Sequence, residues 1–162
     1  MSEEREESKQ RELSFLLKLF ASGLYSGYSP IASGTVGAAV GLAVYLIPGF
    51  EQPLAILPIA VITFLLGIKY SGRMEEVYGE DPAQVTIDEV VGMWISLILL
   101  PKSLPIIVLA FFLFRILDIL KPSPARYFDR RKGGFGIMMD DVISGIYTNV
   151  VLQVLVALNI LS

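Results

Sequence analysis

The chain predicts an all-α fold, a compact polytopic membrane bundle of about five hydrophobic segments preceded by an amphipathic interfacial helix. Three observations predict it. Of the 162 residues, 54% are hydrophobic and the mean hydropathy is +0.63, above the apolar share of roughly 45 to 50% in soluble domains. The apolar residues form continuous runs broken by Pro and Gly rather than an alternating pattern. The cations gather in alternate loops between those runs.

Taken in order, Met1 to Glu12 is acid-rich, with Glu3, Glu4, Glu6, Glu7 and Glu12, and reads as a polar N-terminal extension, residues 1–12. Residues 13–162 then form one membrane-embedded domain. Leu13 to Tyr25 places Leu13, Leu16, Leu17 and Phe20 on one helical face, the pattern of a helix lying in the membrane interface. Its acidic leader and Lys18 do not suit a signal peptide.

Ser22 to Gly34 is a loop rich in Gly, Ser and Pro that delivers Thr35 to the next apolar run. Gly34 and Thr35 occupy a helix start, where free N–H groups can cradle a phosphate; an ordinary capped helix has the same features. Gly37 and Gly41 form a small-residue pair suited to close helix packing, within the chain or across a dimer.

The five apolar segments are Thr35 to Ile47, Leu54 to Ile68, Val90 to Leu100, Leu104 to Leu120 and Ile137 to Leu161. The first three fall short of the roughly 20 residues that cross a bilayer. Pro48, Pro53, Pro101 and Pro105 mark turns on one side. With the N-terminus inside, only Lys102 of the 13 Lys and Arg residues falls outside, in agreement with the positive-inside rule. This arrangement makes five crossings and puts the Gly-Thr loop, Asp81 to Glu89 and Arg115 to Asp141 on one face of the membrane.

The polar segments carry the chemistry. Tyr70 to Gln84 extends the second segment as a polar helix, with Glu75, Glu76 and Glu80 on a solvated face. Asp88 and Glu89 stand at the mouth of an apolar run, where the helix dipole favours acids and where membrane-embedded charge tends to serve function. Arg115 and Asp118 are spaced to share a helix face. Lys121, Arg126, Asp129, Arg130, Arg131 and Lys132 follow, and Asp140 and Asp141 enter the last segment above Ser144, Gly145, Thr148 and Asn149. That last segment presents a polar, small-residue stripe to the bundle. Carboxylates this close repel one another unless they share a proton or a divalent metal, and the cations suit a phosphate.

Cysteine and histidine are both absent. Cysteine phosphatases, histidine phosphatases, Ser-His-Asp hydrolases and the usual zinc sites therefore lack their central residue. Oxygen chemistry remains, and hard oxygen ligands favour Mg²⁺, Mn²⁺ or Ca²⁺. A net charge of −3 and a pI near 5.0 give no basic excess for nucleic acid. The residues thus point to metal-dependent phosphate chemistry at a membrane surface.

Three blocks, SGYSPIASGTVG, IDEVVGMWIS and FRILDILKPSPARYFDRRKGGFGIMMDD, occur in the order found in the phosphatidylglycerophosphatase A family, which the chain resembles from about Ser22 to Gly145. Ser33 departs from the family's usual proline before Gly-Thr. The resemblance implies a phosphatase domain in the bacterial cytoplasmic (inner) membrane, multi-pass, with its active site facing the cytoplasm. It further implies removal of the terminal phosphate of phosphatidylglycerophosphate in phospholipid biosynthesis, Mg²⁺ dependence, and catalytic carboxylates Asp88, Glu89, Asp118, Asp140 and Asp141. On that basis Glu89, Asp140 and Asp141 are the expected metal ligands, and Asp88 or Asp118 orients the attacking water or a second ion. Thr35, Arg115, Lys121 and Lys132 are the expected substrate-binding residues. Phospholipid and bilayer are the expected partners, and the oligomeric state is left open.

Two other functions fit clustered acids in a membrane. A phosphotransferase of the CDP-alcohol type would carry a spaced aspartate signature that is absent here. A small cation transporter would distribute its carboxylates through the bilayer depth, whereas these gather at one end.

Overall fold

The computed structural model describes residues 13–161, which form seven α-helices and one 3₁₀ turn, with no strand among the described residues. The polar extension expected over residues 1–12 lies outside the described residues.

Helix α1 (Phe15–Ala21) starts at Ser14, whose hydroxyl accepts a hydrogen bond from the Leu17 N–H. It is shorter than the expected Leu13 to Tyr25, because Leu24 and Tyr25 take left-handed backbone angles. Leu13, Leu17 and Phe20 pack inward, whereas Leu16 is exposed. The 3₁₀ turn Ser26–Tyr28 then leads to α2 (Ser33–Tyr45). This helix begins at Ser33, after a left-handed Ala32, so Gly34 and Thr35 lie within its first turn and not at the cap.

Helix α3 (Pro53–Tyr78) runs for 26 residues and continues past its apolar half, as the polar pattern after Ile68 predicts. Helices α4 (Ile87–Leu97) and α5 (Leu104–Leu120) follow, then the short α6 (Ala125–Asp129) and the 24-residue α7 (Gly134–Ala157). Proline occupies the first turns of α3 and α5, where its missing N–H costs nothing.

Two helices, α3 and α7, are long and apolar enough to cross a membrane. The other apolar segments form shorter helices. The 11 residues of α4 rise about 16 Å, roughly half the hydrocarbon thickness. Nearly all of α4 is buried, from Ile87 and Val90 to Trp94 and Leu97. It is the core helix around which α2, α3, α5 and α7 pack, and this burial explains its run of apolar residues.

The Gly37 and Gly41 face is used within the chain. A Cβ on Gly37 would lie 2.7 Å from the Thr86 Cβ, and one on Gly41 would lie 3.0 Å from the Val90 Cα. The close approach also lets the Trp94 indole N–H donate to the Gly41 carbonyl at 2.8 Å. This contact supplies the internal-packing reading of that pair.

Helix α4 ends inside the bundle, where its last carbonyls need partners. The Asn149 side-chain amide donates to the carbonyls of Ser96 (3.2 Å) and Ile98 (2.8 Å), and Gln153 one turn later donates to Ile98 and Leu99. Thus the polar stripe of α7 serves two purposes, since its lower part caps a neighbouring helix. At the same end of the molecule Lys102 pairs with Glu51 at 2.8 Å and donates to the carbonyls of Leu46 and Ile47, tying the α2–α3 and α4–α5 connections together.

Candidate active site

Three helix segments bring five carboxylates together. Asp88 and Glu89 lie in the first turn of α4, Asp118 lies near the C-terminal end of α5, and Asp140 and Asp141 lie in the second turn of α7. The α4 N-terminus favours acids through its dipole, while the α7 pair enters on the helix face that packs against α4. All but Glu89 are buried, Asp141 to 2% exposure.

Oxygens of Asp88, Glu89 and Asp141 lie within 4.8 Å of one another, and so do those of Asp118, Asp140 and Asp141. Asp141 belongs to both groups. The expected ligand trio of Glu89, Asp140 and Asp141 is therefore divided, with Glu89 in one group and Asp140 in the other.

Arg115 and Lys121 are the cations of this cluster. Arg115 Nη1 is 2.6 Å from Asp118 Oδ2 and 3.9 Å from Glu89 Oε1, so the local ion pair of α5 also reaches the first turn of α4. Lys121 ends α5 in a left-handed conformation, with φ 46°. Its ammonium reaches Asp140 Oδ2 at 2.6 Å and also contacts Asp129 of α6. Burial works against the Lys121 charge, but Asp140 and Asp129 outweigh it and hold the ammonium's pKa above the ordinary lysine value.

The cluster lines a cavity of about 270 Å³, whose wall includes Ser33, Asp81, Asp88, Glu89, Asp118, Lys121, Asp140 and Asp141. An outer cavity of about 210 Å³ shares Asp81 and Asp140 with it and is lined by Glu75, Glu80, Asp129, Arg130, Arg131 and Lys132. Lys132 thus stands at the outer cavity, paired with Glu80, and not against the carboxylate cluster. Thr35 takes part in none of the cluster's ion pairs or side-chain hydrogen bonds, although its neighbour Gly34 touches the cluster directly. A Cβ on Gly34 would lie 2.3 Å from Glu89 Oε1 and 2.9 Å from Arg115 Nη2.

The sequence left some of this arrangement out. Ser33 and Asp81 line the inner cavity, and Asp129 supports Lys121. Asp81 follows Gly79 and Glu80 in a turn and has φ 44°, a conformation that Asp tolerates better than most residues; that turn chemistry was its only local signal. Glu75 and Glu80 are not a simple solvated face. Glu75 accepts the Gly133 N–H at 2.7 Å at the start of α7, and Glu80 pairs with Lys132.

A divalent cation fits these residues. Asp88 Oδ1, Glu89 Oε2 and Asp141 Oδ2 are buried without a hydrogen-bond partner, a costly state for a carboxylate oxygen. The five carboxylates outnumber the two cations, and the donor set is wholly hard oxygen, which suits Mg²⁺.

The family model and two of the relatives carry the same family name. The family model for Phosphatidylglycerophosphatase A matches residues 19–156. A protein of Bacteroides thetaiotaomicron named "Putative phosphatidylinositol-3-phosphatase" is 38% identical over 149 residues, covering 87% of this chain and 94% of that relative. The Phosphatidylglycerophosphatase A of Escherichia coli is 34% identical over 131 residues, covering 79% and 76%. That of Haemophilus influenzae is 39% identical over 140 residues, covering 83% and 85%. No solved structure matches the chain. The matched span runs from α1 through most of α7 and takes in every carboxylate of the cluster, so this chain belongs to the phosphatidylglycerophosphatase A family and is a phosphatase.

Proposed function

We propose that this chain hydrolyses the terminal phosphate of phosphatidylglycerophosphate, giving phosphatidylglycerol and inorganic phosphate in phospholipid biosynthesis. The observation that carries the reading is the pair of carboxylate groups joined at Asp141, next to Arg115 and Lys121. Family membership supports the same reaction.

Mg²⁺ is the proposed cofactor, held by Asp88, Glu89 and Asp141, by Asp118, Asp140 and Asp141, or by both groups. When bound, it would neutralise phosphoryl charge and make water a usable nucleophile near neutral pH. Arg115 and Lys121 bind the phosphate oxygens. Asp88 or Asp118 orients the attacking water, while Lys132 in the outer cavity meets the arriving head group. Thr35, in the first turn of α2, contributes to the phosphate cradle. Water adds to phosphorus as the ester P–O bond breaks, and the departing glycerol oxygen takes up a proton.

The proposed setting is the bacterial inner membrane. Residues 13–162 form one membrane-embedded domain, with α1 in the interface and the five apolar segments within the bilayer. α3 and α7 cross it fully, and the carboxylates face the cytoplasm. The acyl chains of the substrate stay in the leaflet while its terminal phosphate reaches the helix mouths. Since the chain has no cysteine, single cysteines at Lys102 and Arg131 test the orientation. Labelling of both from the same side by an impermeant maleimide overturns it.

One relative's name favours a second substrate, the 3-phosphate monoester of a phosphatidylinositol. Phosphate release from both lipids in micelles, with Mg²⁺ and then with EDTA, tests both readings. Metal-dependent release from phosphatidylglycerophosphate is the expected result. Faster release from the inositol lipid favours the second substrate, and release that survives chelation removes the metal. An alcohol acceptor that captures the phosphoryl group would reveal transfer instead of hydrolysis.

A further inference from the structure

A cavity of about 590 Å³ lies between the N-terminal end of α1 and the polar end of α3, and it shares no lining residue with either carboxylate cavity. Its apolar lining includes Leu13, Leu17 and Tyr70, and its charged lining among the described residues is Lys69, Arg73 and Glu76. Lys69 and Arg73 are four residues apart and so share one face of α3. Lys69 directly follows the apolar run Leu54 to Ile68. Both cations therefore lie where a crossing helix leaves hydrocarbon for the head-group layer. The volume is that of a small-molecule pocket, enough for a head group and the first part of a chain.

The charges select among phosphates. Arg73 Nη1 is 3.5 Å from Glu76 Oε2, so the carboxylate offsets part of the cationic character. Among the described residues, two cations against one acid leave a single positive charge, which matches the monoanion of a phosphodiester. The dianion of a phosphomonoester would bring its second charge against Glu76.

We infer that this groove binds one anionic phospholipid through its phosphodiester, with the phosphate on Lys69 and Arg73 and an acyl chain along Leu13 and Leu17. The inference rests on the reading of α3 as a crossing helix and is independent of which lipid is hydrolysed. The lipid it selects has the chemistry of the proposed product, a diacyl lipid whose remaining phosphate carries one charge. The groove is thus a second lipid site, outside the carboxylate cluster.

The test uses the full chain in nanodiscs of phosphatidylcholine containing graded phosphatidylglycerol, with retained lipid counted by native mass spectrometry. Wild-type protein retains one phosphatidylglycerol, and Lys69→Gln with Arg73→Gln raises the half-saturating fraction by about tenfold. Both side chains are exposed, and turnover at saturating substrate is unchanged in that variant. Glu76→Gln provides an independent arm, in which retention of phosphatidic acid rises relative to phosphatidylglycerol. Equal retention of phosphatidylglycerol by wild type and the double variant overturns the site. Displacement of the lipid by inorganic phosphate or glycerol 3-phosphate also overturns it, because the groove would then hold a free anion. Loss of hydrolysis with selective lipid retention intact leaves this site standing while removing the proposed reaction.

Discussion

The Lys121 ammonium lies 2.6 Å from Asp140 Oδ2, and Asp129 holds it from the other side. The lysine thus compensates a buried carboxylate while staying at the rim of the inner cavity. Lys121→Met leaves Asp140 uncompensated and removes a phosphate-binding cation. Asp129→Asn leaves the Asp140 contact in place and only loosens the lysine. Lys121→Met should lower kcat/KM by about a hundredfold and Asp129→Asn by about tenfold or less, in line with the cost of breaking a buried charge pair against a more exposed one. Steady-state kinetics in micelles, beside unfolding midpoints, check the order. Equal losses in the two variants would show that Asp129 does more than support Lys121.

Asp141 belongs to both carboxylate groups, whereas Asp88 belongs to one. Asp141→Asn should abolish turnover and divalent-ion binding together, with helicity retained. Asp88→Asn should leave the Asp118, Asp140 and Asp141 group intact and keep measurable ion binding. Isothermal titration with Mg²⁺ and circular dichroism provide the readouts. Wild-type activity in Asp141→Asn would remove that residue from the site.

Gly34 packs on the Glu89 and Arg115 side chains, and an added Cβ would lie 2.3 Å from Glu89 Oε1. Gly34→Ala must push that carboxylate aside. A displacement of about 1 Å near reacting groups costs on the order of a hundredfold in rate. Activity should fall to that extent with little change in the unfolding midpoint. Unaltered kinetics would mean that the pair can relax without consequence for the phosphate.

Asn149 serves architecture instead of chemistry, because its amide donates to the carbonyls that end α4. Asn149→Leu leaves those carbonyls without that donor inside the bundle, at a cost of about 1 to 3 kcal/mol. Thermal unfolding in detergent should report the loss, while kcat per folded molecule stays near wild type. A selective loss of kcat with unchanged stability would reassign Asn149 to the site.

Much of the cluster was legible because its chemistry is local. Asp88 and Glu89 at a helix mouth, Arg115 and Asp118 on one face, and Asp140 and Asp141 above a polar stripe are neighbours in sequence or one turn apart. Their convergence could be read from orientation, since all of them fall on the cation-rich side. Asp81 and Asp129 were not legible as partners of the site, because an acid in a turn next to charged residues looks the same whether it faces solvent or a cavity. The partner of Lys132 was hidden for a related reason. Lys132 lines the outer cavity together with Asp140, while its ammonium pairs with Glu80 of the segment after α3.

By itself the sequence determined the helical class, the oxygen chemistry and the end of the molecule where charge gathers. These follow from composition, from hydrophobic runs between prolines and from the absence of cysteine and histidine, none of which depends on how helices pack. Only the tertiary structure decided that α4 is a buried half-length helix capped by Asn149, that Asp141 joins two carboxylate groups, and that Gly34 lies against Glu89. A run of apolar residues reads alike whether it faces lipid or protein, and oxygen-to-oxygen distances of a few ångströms depend on helix crossings that no local pattern encodes.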